Sequence, residues 1–177
     1  IDHRRFGFGP THVHGECDAA GQVLNPRGSA PATRAAAYSC SVPAMELVFE
    51  REIELSPAIV WDALVDDELV SGWLAEASID PVEGGRFDLV WLYSTDQPPT
   101  SGTIVRLVER SALAVDTDNR GRIEFTLKPL AGGARRGSTR LRLTVVLELD
   151  RAFAARVRAN WMISLDQLEE LLRGHPV

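Results

Sequence analysis

The sequence predicts an α+β domain: a curved antiparallel sheet of about six to seven strands around one long C-terminal helix, with two short helices after the first strand. Three observations predict it. Residues 150–173 place Phe153, Val157, Trp161, Leu165, Leu168 and Leu172 at spacings of four and three, one stripe of a helix. Arg156, Arg158, Asp166, Glu169, Glu170 and Arg173 fall off that stripe and keep the other side wet. Residues 87–149 instead alternate with period two between frequent turn signals, and no helical pattern interrupts them, so neighbouring strands are antiparallel. A helix rising ~1.5 Å per residue over this stretch is about 35 Å long and needs a wide apolar partner. The sheet is that partner.

Composition narrows the setting. A chain of 177 residues, 45% hydrophobic, suits one domain with a substantial core. Its net charge of −6 leaves no basic footprint for nucleic acid. No apolar run approaches the ~18 residues of a membrane span, and no signal-peptide centre follows the N-terminus, which predicts a cytoplasmic protein with no membrane partner. Lys128 is the only lysine; arginine elsewhere, with abundant alanine, is the usage of a GC-rich bacterial genome.

Residues 1–44 look foreign to the rest. They carry both cysteines and three of the four histidines, with scattered Gly, Pro and Ala and no helix or strand period. They read as a disordered extension or as sequence upstream of a misassigned start, with the domain running 45–177. His12, His14 and Cys17 have metal-ligand spacing, but neither a fourth ligand nor a scaffold accompanies them, so no metal is expected. Without a secretory signal, Cys17 and Cys40 are not expected to form a disulfide.

From Met45 the pattern sharpens. Leu47, Phe49, Ile53 and Leu55 alternate with Glu46, Glu50, Glu52 and Glu54, a half-buried strand with an acidic outer face. Arg51 falls on the apolar side, either as a rim residue reaching water or as a cation at a pocket mouth for an acidic ligand. Ser56 and Pro57 open a helix as N-cap and first helical residue, with Val60, Trp61, Leu64 and Val65 inside. A second short helix, 67–74, brings Leu69, Val70 and Trp73. Strands then follow at 77–82 and through Phe87, Leu89 and Trp91; through Thr103, Val105 and Leu107; at 112–116; through Ile123, Phe125 and Leu127; and through Leu141, Leu143, Val145, Leu147 and Leu149. In the last helix Asp150 is positioned to cap the start, and Gly174 with Pro176 ends it.

These residues also carry a resemblance. The run Ile53-Glu54-Leu55-Ser56-Pro57-Ala58-Ile59-Val60-Trp61-Asp62-Ala63-Leu64 resembles the opening of the START-like (SRPBCC) superfamily, in the branch named for the activator of the heat-shock ATPase (AHSA-type). Trp73, Gly84-Gly85-Arg86-Phe87, Ser101-Gly102-Thr103-Ile104-Val105, Leu127-Lys128-Pro129-Leu130-Ala131-Gly132-Gly133 and Asn160-Trp161 match its later marks in order, although no threonine directly follows Gly133. The resemblance covers 45 to about 173. It implies a helix-grip fold with a cavity between sheet and helix.

Such a gap is the usual form of a small-molecule site. Strand parity turns Phe87, Leu89, Trp91, Thr103, Val105, Phe125, Leu141 and Leu143 toward it; Trp161 and Leu165 face them, Trp61 and Trp73 close one end, and Arg51 stands at the mouth. Most of these also serve as core. No catalytic set is expected: His175 lies past the helix, parity sends Glu124 and Asp88 outward, and Thr103 has no partner base. The expected function is binding of a small hydrophobic or amphipathic molecule, with no cofactor. The alternatives are a chaperone-associated or other protein-interaction module, and a cyclase- or dehydratase-like enzyme on an aromatic or polyketide substrate.

Overall fold

A computed structural model describes residues 44–91, 98–131, 137–148 and 151–174. The expectations for His12, His14, Cys17, Cys40, Asp150, His175 and Pro176 lie outside the described residues. The elements run β1 (Ala44–Ile53), α1 (Pro57–Val65), α2 (Asp67–Ser71), β2 (Glu76–Ile79), β3 (Phe87–Val90), β4 (Gly102–Val108), β5 (Ala112–Thr117), β6 (Gly121–Leu130), β7 (Ser138–Glu148) and α3 (Arg151–Leu172). Five strands form one antiparallel sheet in the order β1-β7-β6-β5-β4, and β2 pairs with β3. The β2–β3 hairpin continues the larger sheet through bridges from Arg86 to Thr103 and from Leu89 to Thr100.

Alternation works as expected in β1, β6 and β7. Leu47, Phe49, Ile123, Phe125, Leu127, Leu141, Leu143, Val145 and Leu147 are all buried on one face. Trp161, Leu165 and Leu168 of α3 close over that face. The opposite face is wet and charged: Arg140 reaches Glu52 at 2.7 Å, Arg142 reaches Glu50 at 3.5 Å and Arg106 reaches Glu124 at 3.4 Å. The acidic side of β1 is thus partly neutralised by arginines of its neighbour. Lys128 is exposed on β6.

Strand register fixes the two ends of the molecule. Met45 pairs with Leu147 and Arg122 with Val146, so the start of β1, the end of β7 and the β5–β6 hairpin share one end. Only residues 149–150 separate β7 from α3, so the helix begins at this hairpin end. It runs back over the sheet toward α1 and α2, where Leu171 lies against Gly72. Gly174, at φ +84°, ends it as the sequence predicts, donating its N–H to the Leu171 carbonyl at 2.9 Å.

Several local expectations are corrected. β2 stops at Ile79, because Pro81 has no N–H to extend the ladder and Val82 turns back onto the Asp80 carbonyl at 2.7 Å. α2 stops at Ser71, and Gly72–Leu74 continue as turns. Ser56 contributes no side-chain cap to α1; Asp66 caps α2 instead, accepting the Leu69 N–H at 3.0 Å.

Thr103 and Val105 face outward, contrary to the parity argument. Thr103 is exposed and Val105 is 39% exposed, while Ile104 between them is wholly buried. The cause is a β-bulge between Ile104 and Arg106. Ile104 pairs with Val115 and Leu107 with Leu113, both inward, although they are three residues apart. Strict alternation cannot bury both; the extra residue of a bulge can.

Candidate functional site

Beneath α3, Trp73 anchors the packed interior. Trp73 donates its indole N–H to the Ala63 carbonyl at 2.9 Å and meets Phe125 edge-on, with ring centroids 6.3 Å apart. One side chain thereby ties α1 to β6 and satisfies its only polar atom. Trp61, Phe87, Leu89, Leu141, Leu143, Trp161 and Leu165 are buried around it. Nine of the predicted lining residues therefore converge, as a packed core.

At the hairpin end the burial loosens. Phe153, Val157, Met45 and Trp91 are only partly buried, although each packs against the core. Trp91 continues the inward set of Phe87 and Leu89, and a polar cluster assembles around its ring. The guanidinium of Arg120 lies 4.1 Å from the ring centroid, a cation–π distance. Trp91 Nε1 donates to Thr100 Oγ1 at 3.3 Å, and Arg120 Nε donates to the same oxygen at 3.1 Å. Both groups can only donate, so the single hydroxyl proton of Thr100 must go elsewhere. It goes to Asn119 Oδ1, 2.8 Å away, and Asn119 Nδ2 then donates to the Pro99 carbonyl at 3.0 Å.

The hairpin holds this cluster in place. Thr117 Oγ1 donates to the Gly121 carbonyl at 2.7 Å and accepts the Arg120 N–H at 3.0 Å. Asp118 and Ser101 exchange two hydrogen bonds, Asp118 N–H to the Ser101 carbonyl at 3.0 Å and Ser101 N–H to Asp118 Oδ1 at 3.1 Å. Gly121 takes φ +72°, and a Cβ there would collide with the Val146 carbonyl. Burial pulls Arg120 down to about 10, with Asp118 opposing the shift, so the side chain is still a cation at neutral pH. Arg86 and Arg140, exposed beside Asp80 and Glu52, move the other way.

Arg51 does not stand at a mouth awaiting an acidic ligand. Its Nη2 meets Asp166 Oδ1 at 3.1 Å and its Nε meets Glu169 Oε1 at 3.1 Å, so it ties β1 to α3. Arg158, off the helix stripe, lies 5.4 Å from the Phe49 ring. Sequence reasoning found Trp91 but missed Thr100, Asn119 and Arg120. Arg120 sits in an Asp-Asn-Arg-Gly run that reads as a turn, and Thr100 follows two prolines. The signal that pointed toward them was the indole N–H of Trp91, which needs an acceptor when half-buried.

A sheet curved around a C-terminal helix, with two short helices after its first strand, defines a START-like helix-grip domain. The chain belongs to the family described as Activator of Hsp90 ATPase homolog 1-like protein, whose profile matches residues 54–173. Solved structures with the same fold include protein MLL2253 of Mesorhizobium loti, at 21% identity and TM-score 0.63, over 75% of this chain and 100% of that one. The AHSA1-like protein of Aeromonas hydrophila aligns at 22% identity and TM-score 0.61, over 73% of this chain and 93% of that one. CalU16 of Micromonospora echinospora aligns at 23% identity and TM-score 0.57, over 73% and 76%. A search of curated proteins gives no match. Among the described residues, no helix is long and apolar enough to cross a membrane.

Proposed function

We propose that the protein binds a small hydrophobic or amphipathic molecule between the sheet and α3, admitted at the hairpin end. The observation that supports this reading is the change in burial along one helix stripe. Trp161, Leu165 and Leu168 are buried in the middle of the stripe, whereas Val157 and Phe153 toward the hairpin end, like Leu172 at the far end, are only partly buried. A partly open apolar end with a few fixed polar groups is the form that small-molecule sites take. Phe153, Val157 and Trp91 would meet the ligand first, and Trp161, Phe87, Leu89 and Phe125 would bound it deeper in. We place this binder in the bacterial cytoplasm; the bacterial sources of the similar structures support the first term.

The test uses Nile red, a neutral dye that brightens in apolar surroundings. Saturable brightening with the full chain, reduced in Val157→Trp, supports the binder. No brightening below the aggregation limit would sink it. The second reading, a chaperone-associated module, is favoured by the family's description. It predicts that the protein raises the ATP turnover of a purified Hsp90-type chaperone, whatever its dye binding.

Residues 45–177 are proposed to fold without the segment before them. The family match lies wholly inside that range. Melting temperatures of chains starting at residue 1 and residue 45 should agree within a few degrees; a clear loss in the shorter chain would show that the earlier residues pack on the domain.

A further inference from the structure

We infer that the ligand is a neutral oxygenated hydrophobe, its accepting oxygen taking the hydroxyl proton of Ser164 on the inner side of α3. This rests on the binding reading above and deepens it. Three polar side chains are buried among the described residues: Thr100, Thr139 and Ser164. Thr139 donates to the Leu55 carbonyl at 2.7 Å, and Thr100 donates to Asn119 Oδ1 at 2.8 Å. Ser164 is 6% exposed, and among the described residues its hydroxyl has no hydrogen-bond partner. A serine inside a helix can return its proton to the carbonyl four residues earlier. Ser71 does so, donating to the Asp67 carbonyl at 2.7 Å. Ser164 does not. A buried hydroxyl without a partner costs free energy, which an acceptor brought by a ligand would recover.

Position along the helix selects what can reach it. Phe153, Val157, Asn160 and Ser164 follow at spacings of four, three and four, so they form one row along a flank of α3. Asp166 and Glu169, whose carboxylates hold Arg51, lie on the other flank, at about 100° of turn per residue. Burial deepens along the row: Phe153, Val157 and Asn160 are partly buried, and Ser164 is buried. The row therefore leads inward from the hairpin end, apolar first and polar at its depth. Asn160, one turn before Ser164, likewise has no side-chain partner among the described residues, and its amide offers a second donor. Both side chains are neutral. A carboxylate buried against them would lack a cation, whereas a ketone or ether oxygen needs only a donor.

The experiment compares benzophenone with diphenylmethane, which keeps both rings and has a methylene in place of the carbonyl. Each is titrated into the full chain loaded with Nile red, and displacement of the dye gives the affinity. Ser164→Ala should weaken benzophenone about three- to tenfold, the scale of one neutral hydrogen bond, and leave diphenylmethane within about twofold. Without ligand, the same variant should melt no lower than the parent chain, because it loses no bond. Should it fail to fold by circular dichroism, Ser164→Cys decides by the same ratio, its thiol being a weak donor. An equal change for both compounds, or none, overturns the role of Ser164 and leaves the apolar binder standing. A clear fall in melting temperature overturns it as well, since the hydroxyl would then be satisfied in the free protein. Failure of Nile red and both compounds to bind overturns the binding reading and this one with it.

Discussion

The two ends of α3 meet different surroundings. Toward its C-terminal end, Leu165 and Leu168 are shut in, Leu171 and Leu172 are partly buried with Leu171 on Gly72, and Trp73 and Phe125 lock α1 to the sheet. At its N-terminal end the same stripe is half-open, and the neighbouring polar groups are held by hydrogen bonds rather than by apolar packing. Close packing stabilises, and each missing methylene is felt. A half-open apolar end contributes less to stability, and it is the end to which ligand entry is assigned in the proposal above. The difference teaches that core stability and the proposed binding can be separated by position along one helix.

That separation can be broken or sharpened by substitution. Trp161→Ala should cost about 3–5 kcal/mol in denaturant unfolding, because it empties the place where the closed half begins. A cost near that of a surface residue would mean that the closed half does not reach so far. Gly121→Ala should cost about 1–3 kcal/mol, since an alanine must sit at positive φ and push against Val146. An unchanged unfolding midpoint would show that the hairpin can leave positive φ at this position without loss. Arg51→Met should cost about 1 kcal/mol or less, as both its carboxylates are at least partly exposed. High salt should erase most of that cost, and a salt-independent loss would point to packing by its alkyl stem instead. Thr103→Val, on the outer face, should stay within about 0.5 kcal/mol and leave binding untouched. Any change in ligand affinity there would contradict the outward register of β4.

What the sequence made legible follows from the range of the interactions involved. The stripe through Trp161, Leu165 and Leu168 and the alternation in β6 and β7 are written in consecutive residues, and both stand in the structure. β4 was misread because Ile104 and Leu107 compete for the same face, and only pairing with β5 shows where the extra residue goes. Arg51 could not be assigned because its partners lie more than a hundred positions away. The polar cluster was hidden for the same reason. Trp91, Thr100 and Asn119–Arg120 come from separate stretches and meet only once the Leu89–Thr100 bridge and the hairpin are in register. Nothing in any one stretch distinguishes them from ordinary turn residues.

The placing of the four tryptophans gives the molecule two optical populations. Trp61, Trp73 and Trp161 are buried, so their emission should be blue and out of reach of a dissolved quencher such as acrylamide. Trp91 is partly exposed and carries a guanidinium on its face, so its emission should lie further to the red and be the first to fade. Excitation at the red edge of the absorption band would then favour the open end, while the blue emission records the state of the core. Binding and unfolding should leave separate spectral traces in a single unlabelled sample.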